Sequence, residues 1–291
     1  MIIDFHTHIF PEKIAAKTIS MLEGKAGIKA ATNGTIDGLL ASMDEANIDM
    51  SVILPVVTKP SQTTNVNAFA ASVNHHCRGR LLSFGGIHPD TDDYKRDLDH
   101  MKELGLIGVK IHPDYQKVFI DDVRFMNIIE YADALDMVII THAGIDIGYP
   151  ELVHCPPDKM RKVLDTLKPK KMVAAHYGGW KQWEEVYEYL AGEDVYLDTA
   201  FTSRYIHKDM FYKILEKHDK DKILFATDSP WSSQSRDVEL MKEMGLPKEV
   251  EEAIFAENSK KLLNLKIFSN YFLKTLAKNA GVLYNKNALG L

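Results

Sequence analysis

Met1-Ile2-Ile3-Asp4-Phe5-His6-Thr7-His8 opens the chain as a short apolar run that ends in two histidines one residue apart. Side chains alternate along an extended strand, so both imidazoles project to one side and can reach a single metal ion. Seven further runs with strand character follow, near 51–56, 81–87, 107–112, 137–142, 171–176, 195–199 and 222–228. Amphipathic stretches with helical periodicity separate them, among them Val123 to Leu135, Asp158 to Leu167, Trp180 to Leu190 and Lys208 to His218. Eight strands alternating with helices read as a parallel sheet, and eight is the number that closes into a (β/α)8 TIM barrel.

Such a barrel takes roughly 250 residues. The 291 residues therefore divide into one α/β domain over 1–265 and a C-terminal extension over 266–291, with one helix predicted at Phe268 to Lys278. Pro11 to Gly34, between the first strand and a first barrel helix placed at Thr35 to Ala46, is longer than an ordinary strand–helix connection and reads as a flap over the site. A hydrophobic share of 45% and a net charge of -6 describe a globular chain with enough apolar residues for a large core. Lysine and arginine (35) are outnumbered by acids (41) and form no dense basic run, which argues against nucleic-acid binding. No apolar stretch reaches the roughly 18 residues that span a bilayer. No signal peptide is readable, and two isolated cysteines, Cys77 and Cys155, fit a reducing compartment, so a cytoplasmic address is expected.

The strand ends carry the chemistry. In order they are His6-Thr7-His8, His88, Lys110-Ile111-His112, Thr141-His142, Ala175-His176 and Thr227-Asp228. In a TIM barrel the C-terminal strand ends open on one face, where sites of this fold assemble. Several nitrogens with one carboxylate suit zinc or another transition metal better than magnesium or calcium, which prefer oxygen. One divalent ion is expected, zinc first and manganese second, with His6, His8 and His142 as nitrogen ligands. It would lower the pKa of a water toward about 7. Asp228 then serves as a fourth ligand or as the carboxylate that takes the water proton, and His176 as the acid/base or the group that polarises a carbonyl; the last two roles are exchangeable.

The set Gly-Val-Lys-Ile-His-Pro (108–113), Thr-His-Ala-Gly (141–144), Ala-His-Tyr-Gly-Gly-Trp (175–180) and Ala-Thr-Asp-Ser-Pro-Trp (226–231), with His6-Thr7-His8, resembles the metal-dependent amidohydrolase superfamily. The likeness runs from Met1 to about Leu263 and is nearest the branch of aminocarboxymuconate-semialdehyde decarboxylase-like enzymes. It implies that His6, His8, His142 and Asp228 bind metal and that His176 assists catalysis. In binuclear relatives a lysine on the fourth strand is carbamylated and bridges two ions. Here Lys110 is expected to stay unmodified, with one ion and with His112 near substrate; a binuclear centre with carbamylated Lys110 is the alternative.

Blander readings stand beside these. Asp228 before Ser229-Pro230 resembles a helix cap, and His88 before Pro89 a turn residue. Tyr115, His154, Arg204 and Trp231 follow strand ends and can contact substrate, Arg204 as a carboxylate clamp, although loop arginines are usually exposed. Cys155 lacks a nucleophile motif. His75, His76, His100 and His218 fall on helical stretches and are expected to face solvent. The functional expectation is a hydrolase that activates water against a small amide, ester or lactone. The alternatives are non-oxidative decarboxylation of an unsaturated or aromatic acid and a metal-binding barrel without turnover. Neither membrane nor nucleic acid is an expected partner, and the C-terminal segment leaves a homodimer open.

Overall fold

The computed structural model describes residues 1–77 and 79–265; the helix expected at Phe268 to Lys278 lies outside them. Nine short strands follow in order: β1 (Ile3–Thr7), β2 (Met50–Ile53), β3 (Leu81–Ser83), β4 (Gly85–Gly86), β5 (Gly108–Ile111), β6 (Val138–Thr141), β7 (Met172–Ala174), β8 (Tyr196–Asp198) and β9 (Ile223–Leu224). All pairings are parallel, in the orders β1-β2-β3 and β4-β5-β6-β7-β8-β9. β3 and β4 are one barrel strand interrupted at Phe84, so the eight expected strands are present. The last strand meets the first through Phe5 N–H to the Phe225 carbonyl (2.9 Å), Asp228 N–H to the His6 carbonyl (2.8 Å) and His8 N–H to the Ser229 carbonyl (2.6 Å). The TIM barrel read from the alternation is the observed architecture.

Alternation decides which strand residues fill the interior and which meet the helices. Phe5, Val52, Leu54, Phe84, Val138, Ile140, Val173, Leu224 and Ala226 pack with one another in the inner cluster. Their strand neighbours Val109, Ile111, Ile139, Met172, Ala174, Leu197, Ile223 and Phe225 pack in the larger cluster that includes helix residues. Phe5 and Phe84 meet edge to face at 6.0 Å; deleting a buried ring of this kind costs about 3–5 kcal/mol. The inner series leads to the chemistry, since Val138 and Ile140 are followed at the same parity by His142, and Leu224 and Ala226 by Asp228. β1 is the exception. Its register shifts between Asp4 and Thr7, and Asp4 turns to Thr227 and Gln234 while Phe5 fills the interior.

The stretch Pro11 to Gly34 contains a helix, α1 (Glu12–Ala26), ended by Gly27 at φ 67. The first barrel helix is α2 (Ile36–Ala46), and Thr35 caps it by accepting from Gly38 N–H. Among the described residues no helix is long and apolar enough to cross a membrane. His75, His76 and His100 are exposed as expected. His218 is not: it is 4% exposed, its Nδ1 accepts from Gly192 N–H and its Nε2 donates to the Val195 carbonyl. Its helix ends against the neighbouring loop, and that contact rather than helical periodicity sets its burial.

Candidate metal centre

His6 and His8 come together as the spacing requires, with their Nε2 atoms 3.2 Å apart. Asp228 joins them from the last strand, its Oδ1 lying 3.4 Å from His6 Nε2 and 3.0 Å from His8 Nε2. The remote nitrogens explain what these contacts are. His6 Nδ1 faces Asp198 Oδ2 at 2.9 Å and His8 Nδ1 faces the Leu54 carbonyl at 2.7 Å. Both partners accept, so each neutral ring carries its hydrogen on Nδ1 and leaves Nε2 bare. Burial drives His6 well below the usual histidine pKa, with the Lys110 charge adding to the effect, which keeps the ring neutral. Two bare nitrogens and a carboxylate oxygen therefore converge with no hydrogen between them.

That convergence fits a cation. Bonds of about 2.0–2.2 Å to a shared ion put neighbouring donor atoms roughly 3–3.5 Å apart, and the three contacts fall in this range. The donor set of imidazole and carboxylate suits a divalent transition metal.

A second pair stands beside the first. His176 Nδ1 donates to the Ala200 carbonyl at 2.9 Å, which leaves its Nε2 bare at 3.0 Å from His142 Nδ1. His142 Nε2 has no hydrogen-bond partner and faces Asp114 Oδ2 at 3.8 Å and Asp146 Oδ2 at 4.0 Å. A ring held neutral by burial places its hydrogen toward two carboxylates rather than a lone pair, so His142 Nδ1 is bare as well. The His176 and His6 rings lie 5.4 Å apart. Lys110, fully buried, reaches to 3.4 Å from His6 Nε2, and burial lowers its pKa to about 8.

His176 and Asp228 adopt left-handed backbone, at φ 59 and 68. For residues with a Cβ this costs about 1–2 kcal/mol each and persists where the surroundings over-determine it. Gly144, at φ 81, is needed for a different reason. A Cβ there would lie 2.1 Å from the Trp180 backbone nitrogen, because the 143–145 and 180 backbones exchange hydrogen bonds.

The other sequence candidates divide. His112 stacks on His142 (4.4 Å) and on Tyr115 (4.0 Å), beside the site. His154 is spent on Asp114 at 3.0 Å. Trp231 is half-buried, and its backbone N–H donates to the Asp228 carbonyl. Arg204 is exposed, and its charge acts on Asp237 rather than at the cluster. His88 is a buried turn residue whose Nδ1 accepts from Asp90 N–H. Three carboxylates went unread in the sequence: Asp198, Asp114 and Asp146. Asp198 stands at a strand end like the histidines, so the same rule applied to Tyr-Leu-Asp-Thr-Ala (196–200) would have found it. No spacing announced the other two.

Comparison with known proteins gives a family and a fold. Residues 3–265 match the family described as Amidohydrolase. An uncharacterised TIM-barrel protein from Bordetella bronchiseptica superposes with a TM-score of 0.75 at 18% identity, covering 90% of this chain and 98% of that one. A 5-carboxyvanillate decarboxylase from Sphingomonas paucimobilis gives 0.65 at 14% identity over 90% and 98% of the two chains. A dihydroxybenzoic acid decarboxylase from Polaromonas sp. JS666, with bound manganese and the inhibitor 2-nitroresorcinol, gives 0.69 at 15% identity over 91% and 97%. No curated protein matches the sequence.

Proposed function

The chain belongs to the amidohydrolase family, and from that premise we propose that it is a metal-dependent hydrolase acting on a small amide, ester or lactone. The carrying observation is the meeting of His6 Nε2, His8 Nε2 and Asp228 Oδ1 within 3.4 Å, with both imidazole hydrogens engaged elsewhere. His6, His8, Asp228 and, through its bare Nδ1, His142 would hold one divalent ion, zinc or manganese. The ion supplies positive charge that acidifies a water molecule and polarises a substrate carbonyl.

The remaining steps belong to this chain. Asp228 keeps its second oxygen to take the water proton. His176, anchored through Nδ1, offers bare Nε2 to carry a proton to the leaving group. Burial holds His112 neutral and pushes Asp146 up to about 7, and Lys25, over the Tyr149 ring, is a cation on that side of the site.

Decarboxylation is the second reading. It is supported by the fold shared with decarboxylases and by Lys110, a cation at the cluster able to meet a carboxylate. The test is product analysis of manganese- or zinc-loaded protein on a panel of esters, lactones, amides and carboxylated aromatics. Acid and alcohol or amine products support hydrolysis. Carbon dioxide release replaces it with the second reading, and metal uptake without turnover removes both. In His176→Asn, ion binding is retained and turnover falls at least 100-fold; full activity there removes His176 from the chemistry.

A further inference from the structure

Asp198 is fully buried at the end of β8, and its carboxylate is a two-sided fork. Oδ2 meets His6 Nδ1 at 2.9 Å. Oδ1 accepts two backbone N–H groups, from His176 at 2.9 Å and Ala200 at 3.1 Å. The backbone carbonyl of Asp198 accepts a third, from Tyr177. The residue is therefore tied to the left-handed turn that carries His176 and cannot swing away from His6.

We propose that Asp198 is a positioning residue: with one oxygen locked by two amides, its other oxygen fixes the His6 hydrogen on Nδ1 and so keeps Nε2 bare and aimed at the ion. The inference rests on the reading of His6 as a ligand and adds what makes it one. A histidine ligand whose remote N–H is held by a carboxylate is both oriented and more basic. The consequence for substitution follows from donors and acceptors alone. In Asp198→Asn the amide oxygen stays with the two backbone N–H groups, because turning the side chain over would set an NH2 against both. The NH2 then faces His6 Nδ1, where two hydrogens cannot meet. His6 must move its hydrogen to Nε2, the atom the ion needs.

The test pairs two measurements on full-length protein. Histidine 15N spectra of the metal-free protein report the tautomer, and Mn2+ titration against a competing chelator reports affinity. The parent shows His6 protonated on Nδ1. Asp198→Asn shows the hydrogen on Nε2, binds Mn2+ about 10–100-fold more weakly, and keeps the metal-free melting profile of the parent. Unchanged affinity with Nε2 still bare in the variant overturns the proposal. Should the variant fail to fold, the parent spectrum alone decides: a His6 hydrogen on Nε2 overturns the inference. A parent with the Nδ1 hydrogen that takes up no Mn2+ sinks the functional reading instead, and leaves Asp198 as the group that sets the tautomer.

Discussion

Two groups of the same composition stand a few ångströms apart at the barrel mouth: His6, His8 and Asp228, and His112, His142 and Asp146. Each has donor atoms within 4.8 Å of one another, and by residue type alone either could hold an ion. The far side of each ring separates them. In the first group the remote nitrogens donate, to Asp198 and to the Leu54 carbonyl, so the near nitrogens are bare. In the second, His112 Nδ1 accepts the Tyr115 amide as a helix cap, and its hydrogen sits on Nε2, 3.6 Å from Asp146 Oδ2. His142 likewise turns its hydrogen toward Asp114 and Asp146 and its bare nitrogen toward His176. One group gathers lone pairs and calls for a cation; the other turns its N–H groups toward carboxylates, and only His142, through Nδ1, presents a lone pair on the side of the first group. What a histidine can bind is set by the partner of its other nitrogen.

The sharpest way to break this contrast is to remove one histidine from each group. His8→Ala is expected to weaken Mn2+ or Zn2+ binding at least 100-fold and turnover at least 1,000-fold. His112→Asn, with a side chain that still caps the helix, is expected to hold the ion within about threefold of the parent. Chelator competition on both variants decides it. Equal losses would show that His112 also holds the ion.

A backbone substitution probes how firmly the second group is built. Gly144 lies between His142 and Asp146, and an added methyl would collide with the Trp180 backbone as well as strain a left-handed residue. Gly144→Ala is expected to cost about 3–4 kcal/mol, which lowers the melting temperature by roughly 6–16 °C. A variant that melts with the parent would show that this close approach does not fix the spacing of His142 and Asp146.

His218 supplies a reference outside both groups, because backbone atoms occupy both of its nitrogens. Burial lowers its pKa from 6.5 to about 4. The folded state prefers the neutral ring, so the stabilisation is present above pH 6.5 and is lost as pH falls toward 4, by about 3 kcal/mol at most. Denaturant titrations across this window should show a shallower acid slope for His218→Gln, with ion affinity at pH 7.5 unchanged. An unaltered slope would mean that His218 does not titrate as a buried ring.

Much of the architecture was legible because periodicity is a local property. The strand runs, the Thr35 start of α2 and the inner parity of His142 and Asp228 all follow from alternation within a few residues. The pairing of His6 with His8 was legible for the same reason, and their meeting with Asp228 followed from barrel topology. Tautomers were not legible. They depend on Asp198, the Leu54 and Ala200 carbonyls and the Tyr115 amide, which come from other elements or from the far side of a turn. The burial of His218 escaped for a related reason, since it is decided by how a neighbouring loop lies.

The smallest expected effect tests where the second group ends. Tyr115 stacks on His112 and meets Tyr149 edge to face at 5.3 Å, and Lys25 of α1 caps the Tyr149 ring with its ammonium 3.0 Å from the centroid. This row of rings links the flap helix to His112 without touching His6, His8 or Asp228. A cation over an aromatic face is worth about 0.5–1 kcal/mol at a partly exposed site. Lys25→Gln is therefore expected to lower stability by no more than about 1 kcal/mol and to leave Mn2+ affinity where it was. If KM rises while ion affinity holds, the row positions substrate and the two groups divide the labour as their hydrogens indicate. If ion affinity falls with it, the groups are one mechanical unit and the separation drawn from their tautomers does not extend to function.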